Sequence, residues 1–302
     1  MNDKTHHHIH LCQWGSDDQL GAANYITPEK RVAAMHSVRQ GKTFDLSREI
    51  KIGVPNIKRI QPQYAMSMWI NAEYGLRAQK NTPFTNECGS NIEHINMTLH
   101  TGTHIDALGH ITIGDRMYNN RRTHNTLGNG GLRELGAEKI PALITRGVCI
   151  DASHLDGGDH LAAGRVITRE EIKALLAQQN TTLTTGDILL IRTGWGKFFA
   201  KDNDKYLAGE PGIGEDAAEW IIAQQVSAIG SDNMAVEVLP AENSKKDMPV
   251  HQQALVEAGV YLIENLDLDE LCAAQVHTFC FLLLPVKFKG ATGCPVRPTA
   301  VI

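Results

Sequence analysis

Helical and strand-like hydrophobic periods take turns along this chain. Thr27-Pro28-Glu29 offers a capping hydroxyl followed by proline, and Val32, Met35 and Val38 recur at helical spacing until Gly41, so a helix with one apolar side is expected there. Phe44, Leu46 and Ile50 follow as a strand. Alternation is clearest over residues 94–99, with Ile95, Met97 and Leu99 on one face and His94, Asn96, Thr98 and then His100 on the other. Residues 148–151 read as a short strand, and Thr168-Arg-Glu-Glu171 is a capping box opening a helix that runs through Leu176. Gly186-Asp187 precedes a buried-strand run at 188–191. A helix is expected at 215–225 and a strand at Ala228-Ile229, ending at Gly230-Ser231-Asp232. A last helix at 249–258, closed by Gly259, leads into a strand at 260–263 that delivers Glu264.

This alternation of helix and strand predicts an α/β fold. With no internal repeat and no convincing linker, one domain over 43–302 is expected, preceded by an N-terminal extension and helix over 1–42. At 302 residues and 42% hydrophobic content the chain can bury a sizeable core. Its 29 basic and 34 acidic residues form no long run of either sign, which removes the electrostatic footprint of a nucleic-acid binder and favours a small-molecule substrate. The longest apolar run, residues 279–286, is strand length, so no membrane span is expected. Nothing near the start resembles a secretion signal, and the six cysteines form no Cys-x-x-Cys pair. A cytoplasmic protein with reduced thiols is the expectation.

Histidine changes the picture. Of 14 in the chain, His6, His7, His8 and His10 form a tail-like run and are discounted. Four of the remaining ten, His94, His100, His104 and His110, fall within 17 residues, where an even scatter would place roughly 0.6. In His100-Thr-Gly-Thr-His104-Ile-Asp106-Ala-Leu-Gly-His110, imidazole and carboxylate are ligands suited to Zn or Mn, and three of them satisfy a catalytic site that keeps a position open. His104 and Asp106, two apart on an extended segment, share a side at about 6.6 Å along the chain. His100 and His104 would be roughly 13 Å apart on a continuous strand, so the backbone must turn between them, and Gly102 is placed to allow it. His110, past Gly109, is a candidate general acid or base. A lone histidine on a strand is ordinarily just packed or exposed, and His94, His36, His124, His154, His160 and His277 are left in that class.

The stretch resembles the His-x-Gly-Thr-His-x-Asp-x-Pro-x-His signature of the cyclase family of metal-dependent hydrolases, which includes bacterial kynurenine formamidases, isatin hydrolases and trans-dienelactone hydrolases. Leu108 stands where that signature usually has proline. The similarity extends to Trp14-Gly15, Leu20-Gly21-Ala22, residues 186–195, 251–265 and 290–298, covering most of the chain. It implies a swivelling β/β/α cyclase-like fold, a homo-oligomer (dimer or tetramer), and a divalent ion, Mn or Zn, that activates water. By the same resemblance His100, His104 and Asp106 bind metal, and His110 shuttles protons. His251 and Glu264 match the residues that hold a second ion in binuclear members, so one or two ions per subunit are expected.

The activity expected is hydrolysis of a cyclic amide of the isatin type by attack of metal-bound water. Lactone opening and arylformamide cleavage stand behind it, and a non-catalytic metal- or ligand-binding scaffold is the rival from another class. Retention of His110 argues against the scaffold, since a purely structural metal shell needs no free base beside it. Asp232, Asn233 and the glycines of Gly290-Ala-Thr-Gly293 are explained equally well by turn chemistry.

Overall fold

The computed structural model describes residues 13–80 and 82–302; His6, His7, His8, His10 and Cys12 lie outside them. Nine strands make one curled mixed sheet: β1 Thr43–Asp45, β2 His104–Asp106, β3 Leu143–Asp151, β4 Ile188–Arg192, β5 Ala228–Ser231, β6 Tyr261–Glu264, β7 Thr278–Leu283, β8 Gly293–Pro295 and β9 Thr299–Val301. Their order is β1-β9-β7-β3-β4-β5-β6-β2-β8. The centre, β3-β4-β5-β6, is parallel. Its strands are buried on both faces, which is why Ile188, Leu189, Leu190 and Ile191 read as a continuous apolar run instead of an alternating one. On one flank β7, β9 and β1 add antiparallel. On the other, β2 enters antiparallel to β6 and β8 closes the edge.

Helices make the crossovers that parallel strands require. The predicted capping box is present at the start of α2 Arg169–Gln178, with Thr168 and Glu171 bonding reciprocally. The α3 helix, Glu215–Ala223, ends two residues before the expected Gln225. The α4 helix begins as Pro249–His251, widens into a π-helical stretch Gln252–Ala258, and stops at Gly259, which takes a positive φ of 68°.

Two sequence expectations are corrected. The first helix, here α1, spans Pro28–His36 with Thr27 as its cap, and it ends before Gly41 because Ser37 takes its last carbonyls. Its apolar residues Val32 and Met35 are exposed, and the buried contact is Ala34. The helix packs close to β3, where a small side chain is what fits. It is held by Lys30, whose Nζ donates to the buried Asp187 at 2.5 Å. Residues 94–99, in turn, are not a half-buried strand leading into the histidines. The strand is Ile92–Asn96, antiparallel to Ala65–Ile70 in a separate hairpin and exposed along its whole length. Met66, Met68, Trp69, Ile92 and Ile95 of that hairpin all lie open. Alternation reports two unlike faces, and here no layer of the described chain covers the apolar one.

Asp187 accepts from Thr184 N at 2.8 Å, Arg146 at 3.1 Å and Lys30, joining α1 to the sheet. Asp187→Ala strands both cations beside a buried site, and breaking such a pair costs about 3 kcal/mol. A urea titration should show a lowered midpoint with unchanged slope; an unshifted midpoint would refute this account of the anchoring of α1.

Candidate metal centre

The site is assembled by strand pairing. Gly102, at φ 67°, turns the chain between His100 and His104, so the two rings approach to 4.9 Å between centroids. On β2, His104 pairs with Glu264 of β6, while Asp106 pairs with Gly293 of β8. Facing residues on paired strands are neighbours, so His104 Nε2 lies 3.1 Å from Glu264 Oε2 and 3.5 Å from Asp106 Oδ1. His251, at the start of α4, brings Nε2 to 3.1 Å from Glu264 Oε1 and 3.6 Å from Asp106 Oδ2. His100 Nδ1 is 2.9 Å from Asp106 Oδ1. His110 sets its Nε2 4.0 Å from Asp106 Oδ2 and its ring 4.2 Å from that of His100. All six predicted site residues thus meet around Asp106. His94 lies on the exposed hairpin, and His36, His124, His154, His160 and His277 are outside the cluster.

Three residues that sequence reasoning missed brace the cluster from behind. Glu237 is buried and takes the Nδ1 proton of His251 at 2.5 Å, along with the backbone N–H groups of Val250 and His251. Thr292 Oγ1 meets His100 Nε2 at 2.9 Å. Glu210 accepts the N–H groups of Met234 and Ala235, both at 2.8 Å, fixing the loop that carries Glu237. Only Thr292 lay in a segment the sequence had marked. Gly293 beside it is required by space: a Cβ there would sit 2.6 Å from the His100 ring. Asp232 does not reach the cavity; it accepts from the N–H groups of Thr193 and Gly194.

The charge balance favours a cation. His104 Nε2 and both oxygens of Asp106 are buried without an aligned hydrogen-bond partner. The His104, Asp106 and Glu264 donor atoms lie within 4.8 Å of one another, as do those of His100, Asp106 and His110. Burial alone would lower the pKa of His104, yet the neighbouring carboxylates of Glu264 and Asp106 push it up to about 9. For His110 burial prevails, helped by the charges of His100 and His251, and its imidazole is pushed down to about 4. Buried nitrogen and oxygen donors converging in this way could hold a metal ion. His110 is within reach of the same centre, so its neutral ring can serve either as ligand or as base.

A cavity of about 470 Å³ opens onto this cluster, with His100, His104, His110, His251 and Glu264 in its wall. Among the described residues, no helix is long and apolar enough to cross a membrane.

A family model described as "Putative cyclase" matches residues 44–238, more than half of the chain. Cyclase-like protein 2 of Oryza sativa subsp. japonica is 26% identical over 211 residues, 69% of this chain; the chain spans 64% of that protein's length. The kynurenine formamidase of Bacillus mycoides is 26% identical over 225 residues, covering 72% of this chain and 87% of that one. A crystal structure described as a novel cyclase superposes with a TM-score of 0.87 at 34% identity, covering 97% of this chain and 99% of the other. Isatin hydrolase A from Labrenzia aggregata, solved with benzyl benzoate, shares the fold at a TM-score of 0.62 and 20% identity, covering 91% and 98%. With the histidine signature, the fold and the family model in agreement over the same residues, the chain belongs to the cyclase family of proteins.

Proposed function

We propose that the chain is a divalent-metal-dependent hydrolase that opens a cyclic amide of the isatin type. The observation that carries this reading is the convergence of His100, His104, His251 and Glu264 on the buried Asp106, with His110 beside them, at one wall of a cavity large enough for a small organic molecule. The names of the relatives, isatin hydrolase and kynurenine formamidase, support carbon–nitrogen hydrolysis as the chemistry. The donor set suits Mn or Zn, as one ion or as two sharing Asp106. A bound ion supplies Lewis acidity toward the scissile carbonyl and toward water.

The side chains do the rest. Glu237 and Thr292 fix the rings of His251 and His100, so their donor nitrogens stay aimed at Asp106 and Glu264. His110 Nε2 takes a proton from the attacking water and returns it to the departing nitrogen, leaving an amine and a carboxylic acid whose remaining proton is lost to solvent. Water adds to the carbonyl carbon as the carbon–nitrogen bond breaks.

Removal of one of about three ligands leaves an ion under-coordinated, so His104→Ala and Asp106→Ala should each abolish turnover and lose metal. Exhaustive chelation should do the same reversibly, with Mn or Zn restoring the rate. Glu237→Gln, which keeps a side chain of the same size behind the His251 ring and the first N–H groups of α4, should weaken metal affinity by about 10- to 100-fold. Elemental analysis alongside turnover of isatin is the check, and full metal occupancy with retained activity in His104→Ala would sink the assignment.

His110→Ala separates proton transfer from ligation. A positioned acid or base contributes about 10²- to 10⁴-fold, so kcat on a cyclic amide should fall on that scale while metal content stays near that of the unmodified protein. A lactone, whose oxygen leaves with less help, should suffer less. Loss of the ion together with the rate would make His110 a ligand, and an unchanged amide rate would remove it from the mechanism.

We further propose a homo-oligomer built on the hairpin Ala65–Ile70 and Ile92–Asn96. A lone two-stranded hairpin is marginal in water, and Trp69, 76% exposed, with Met66, Met68 and Ile95, is an apolar load that a second copy would cover. Sedimentation should show an assembly larger than one chain that Trp69→Lys with Met68→Lys dissociates. A monomeric parent protein would end this proposal.

A further inference from the structure

The cavity that holds the candidate metal centre has two unlike walls. One is the histidine and carboxylate cluster. The other is built largely by Ile57, Ile60, Phe199, Leu207, Met234 and Met248. Among the described residues, no lysine, arginine or aspartate lines the cavity, and every ionisable group in its wall is a member of the cluster, apart from Tyr206. Tyr206 is buried and its hydroxyl is committed to Asn265 Oδ1 at 2.7 Å. Burial holds that phenol well above the usual tyrosine range, so it brings no charge. The Arg48 guanidinium lies over the Phe199 ring and is occupied by Leu266 O at 3.1 Å and Asp267 at 3.6 Å. Lys58 and Arg59 lie between Ile57 and Ile60 in sequence but are exposed and do not line the cavity.

We infer that the substrate is an uncharged amide carrying a bulky apolar substituent remote from the reacting carbonyl, and that the site rejects substrates bearing a carboxylate or zwitterion on that remote side. This rests on the hydrolase reading above. The physical reasons are size and solvation. A volume near 470 Å³ is in the range of roughly 300–1,000 Å³ that takes a drug-sized molecule, so a small bicyclic amide leaves the apolar wall uncovered. A remote carboxylate pressed against isoleucine, leucine and methionine would lose its water and meet no cation. Met234 and Met248 are unbranched and can reshape around different apolar groups, which favours a class of related bodies over one fixed outline.

The test uses the metal-loaded, full-length protein with isatin, 5-butylisatin and isatin-5-carboxylate. These keep the reacting amide constant and change only the far side. The expected order of kcat/KM is 5-butyl above unsubstituted above carboxylate. The first and last should differ by on the order of 100-fold or more, since a site that leaves a polar group unpaired discriminates strongly. Ile60→Arg, at an exposed position on the cavity rim, should narrow that gap by raising carboxylate turnover. Lys58→Gln with Arg59→Gln should leave the 5-butyl rate unchanged. Equal turnover of the butyl and carboxylate compounds, or a preference for the carboxylate, overturns the inference while leaving the hydrolase reading intact. If none of the three is hydrolysed, the hydrolase reading for cyclic amides fails, and calorimetric binding of the same compounds still decides the question for the cavity. Tighter binding of 5-butylisatin than of the carboxylate upholds the apolar selectivity, and the reverse order refutes it.

Discussion

Two carboxylates, Asp106 and Glu264, are buried within one cluster whose donor atoms lie within 4.8 Å of each other. Like charges taken out of water together are strongly unfavourable unless positive charge accompanies them. The interior answers with four imidazoles, and the field is strong enough that His104 favours its protonated form despite complete burial. Protons alone leave both Asp106 oxygens and His104 Nε2 without aligned partners. The arrangement makes electrostatic sense around a cation. The surrounding fold is organised to keep the pieces of this unfavourable assembly from moving apart.

Sheet order does most of that work. The carboxyl ends of parallel strands are the usual place for a site in an open α/β sheet, and β6 delivers Glu264 there. The antiparallel entry of β2 is what sets the start of one strand beside the end of another, pairing His104 with Glu264. The imidazoles are then fixed one by one. His104 Nδ1 donates to Gly102 O at 2.9 Å, which turns Nε2 toward Glu264 and Asp106. His251 Nδ1 donates to Glu237, which also gathers the first N–H groups of α4. The loop carrying Glu237 is strained, for Val236 has a φ of 62°, a conformation a β-branched residue rarely adopts. Such strain costs of order 1–3 kcal/mol and persists only where neighbours over-determine it. Here Asn233 Oδ1 takes the Val236 N–H at 2.8 Å and Glu210 takes the two before it.

The central strands, the capping box, α4 with its Gly259 stop and the Gly102 turn were legible because each rests on local chemistry: an apolar run, a hydroxyl three residues before a glutamate, a glycine at positive φ. The motif from His100 to His110 was legible because its candidate ligands are close in sequence. Glu237 was not, since in Met-Ala-Val-Glu-Val nothing distinguishes it from a surface glutamate. Its importance comes from a packing relation with α4 that no spacing encodes. The two misread segments failed for a related reason. Val32 and Met35, like Met66 and Ile95, form apolar faces, but periodicity says only that a face exists, never what covers it. Gly293 read as turn material, whereas its role is to leave room for a histidine ring from a distant part of the chain.

A second, smaller core explains why the apolar wall of the cavity is as well defined as the wall of histidines and carboxylates. Val54, Trp195, Phe199 and Tyr206 pack together apart from the main core, with Trp195 Nε1 donating to Tyr206 O at 3.2 Å. Phe199 and Tyr206 reach the cavity from this cluster, and the turn before Trp195 is tied down by Asp232 at the end of β5. Tyr206 also bonds to Asn265, the residue immediately after Glu264, which takes a left-handed φ of 55° as the strand ends. The wall that would hold the substrate is therefore mechanically joined to a residue one peptide away from a proposed metal ligand. A displacement of Phe199 or Tyr206 by an ill-fitting substrate would be transmitted through Asn265 to Glu264, so shape at the apolar wall and alignment at the metal centre are parts of one constraint.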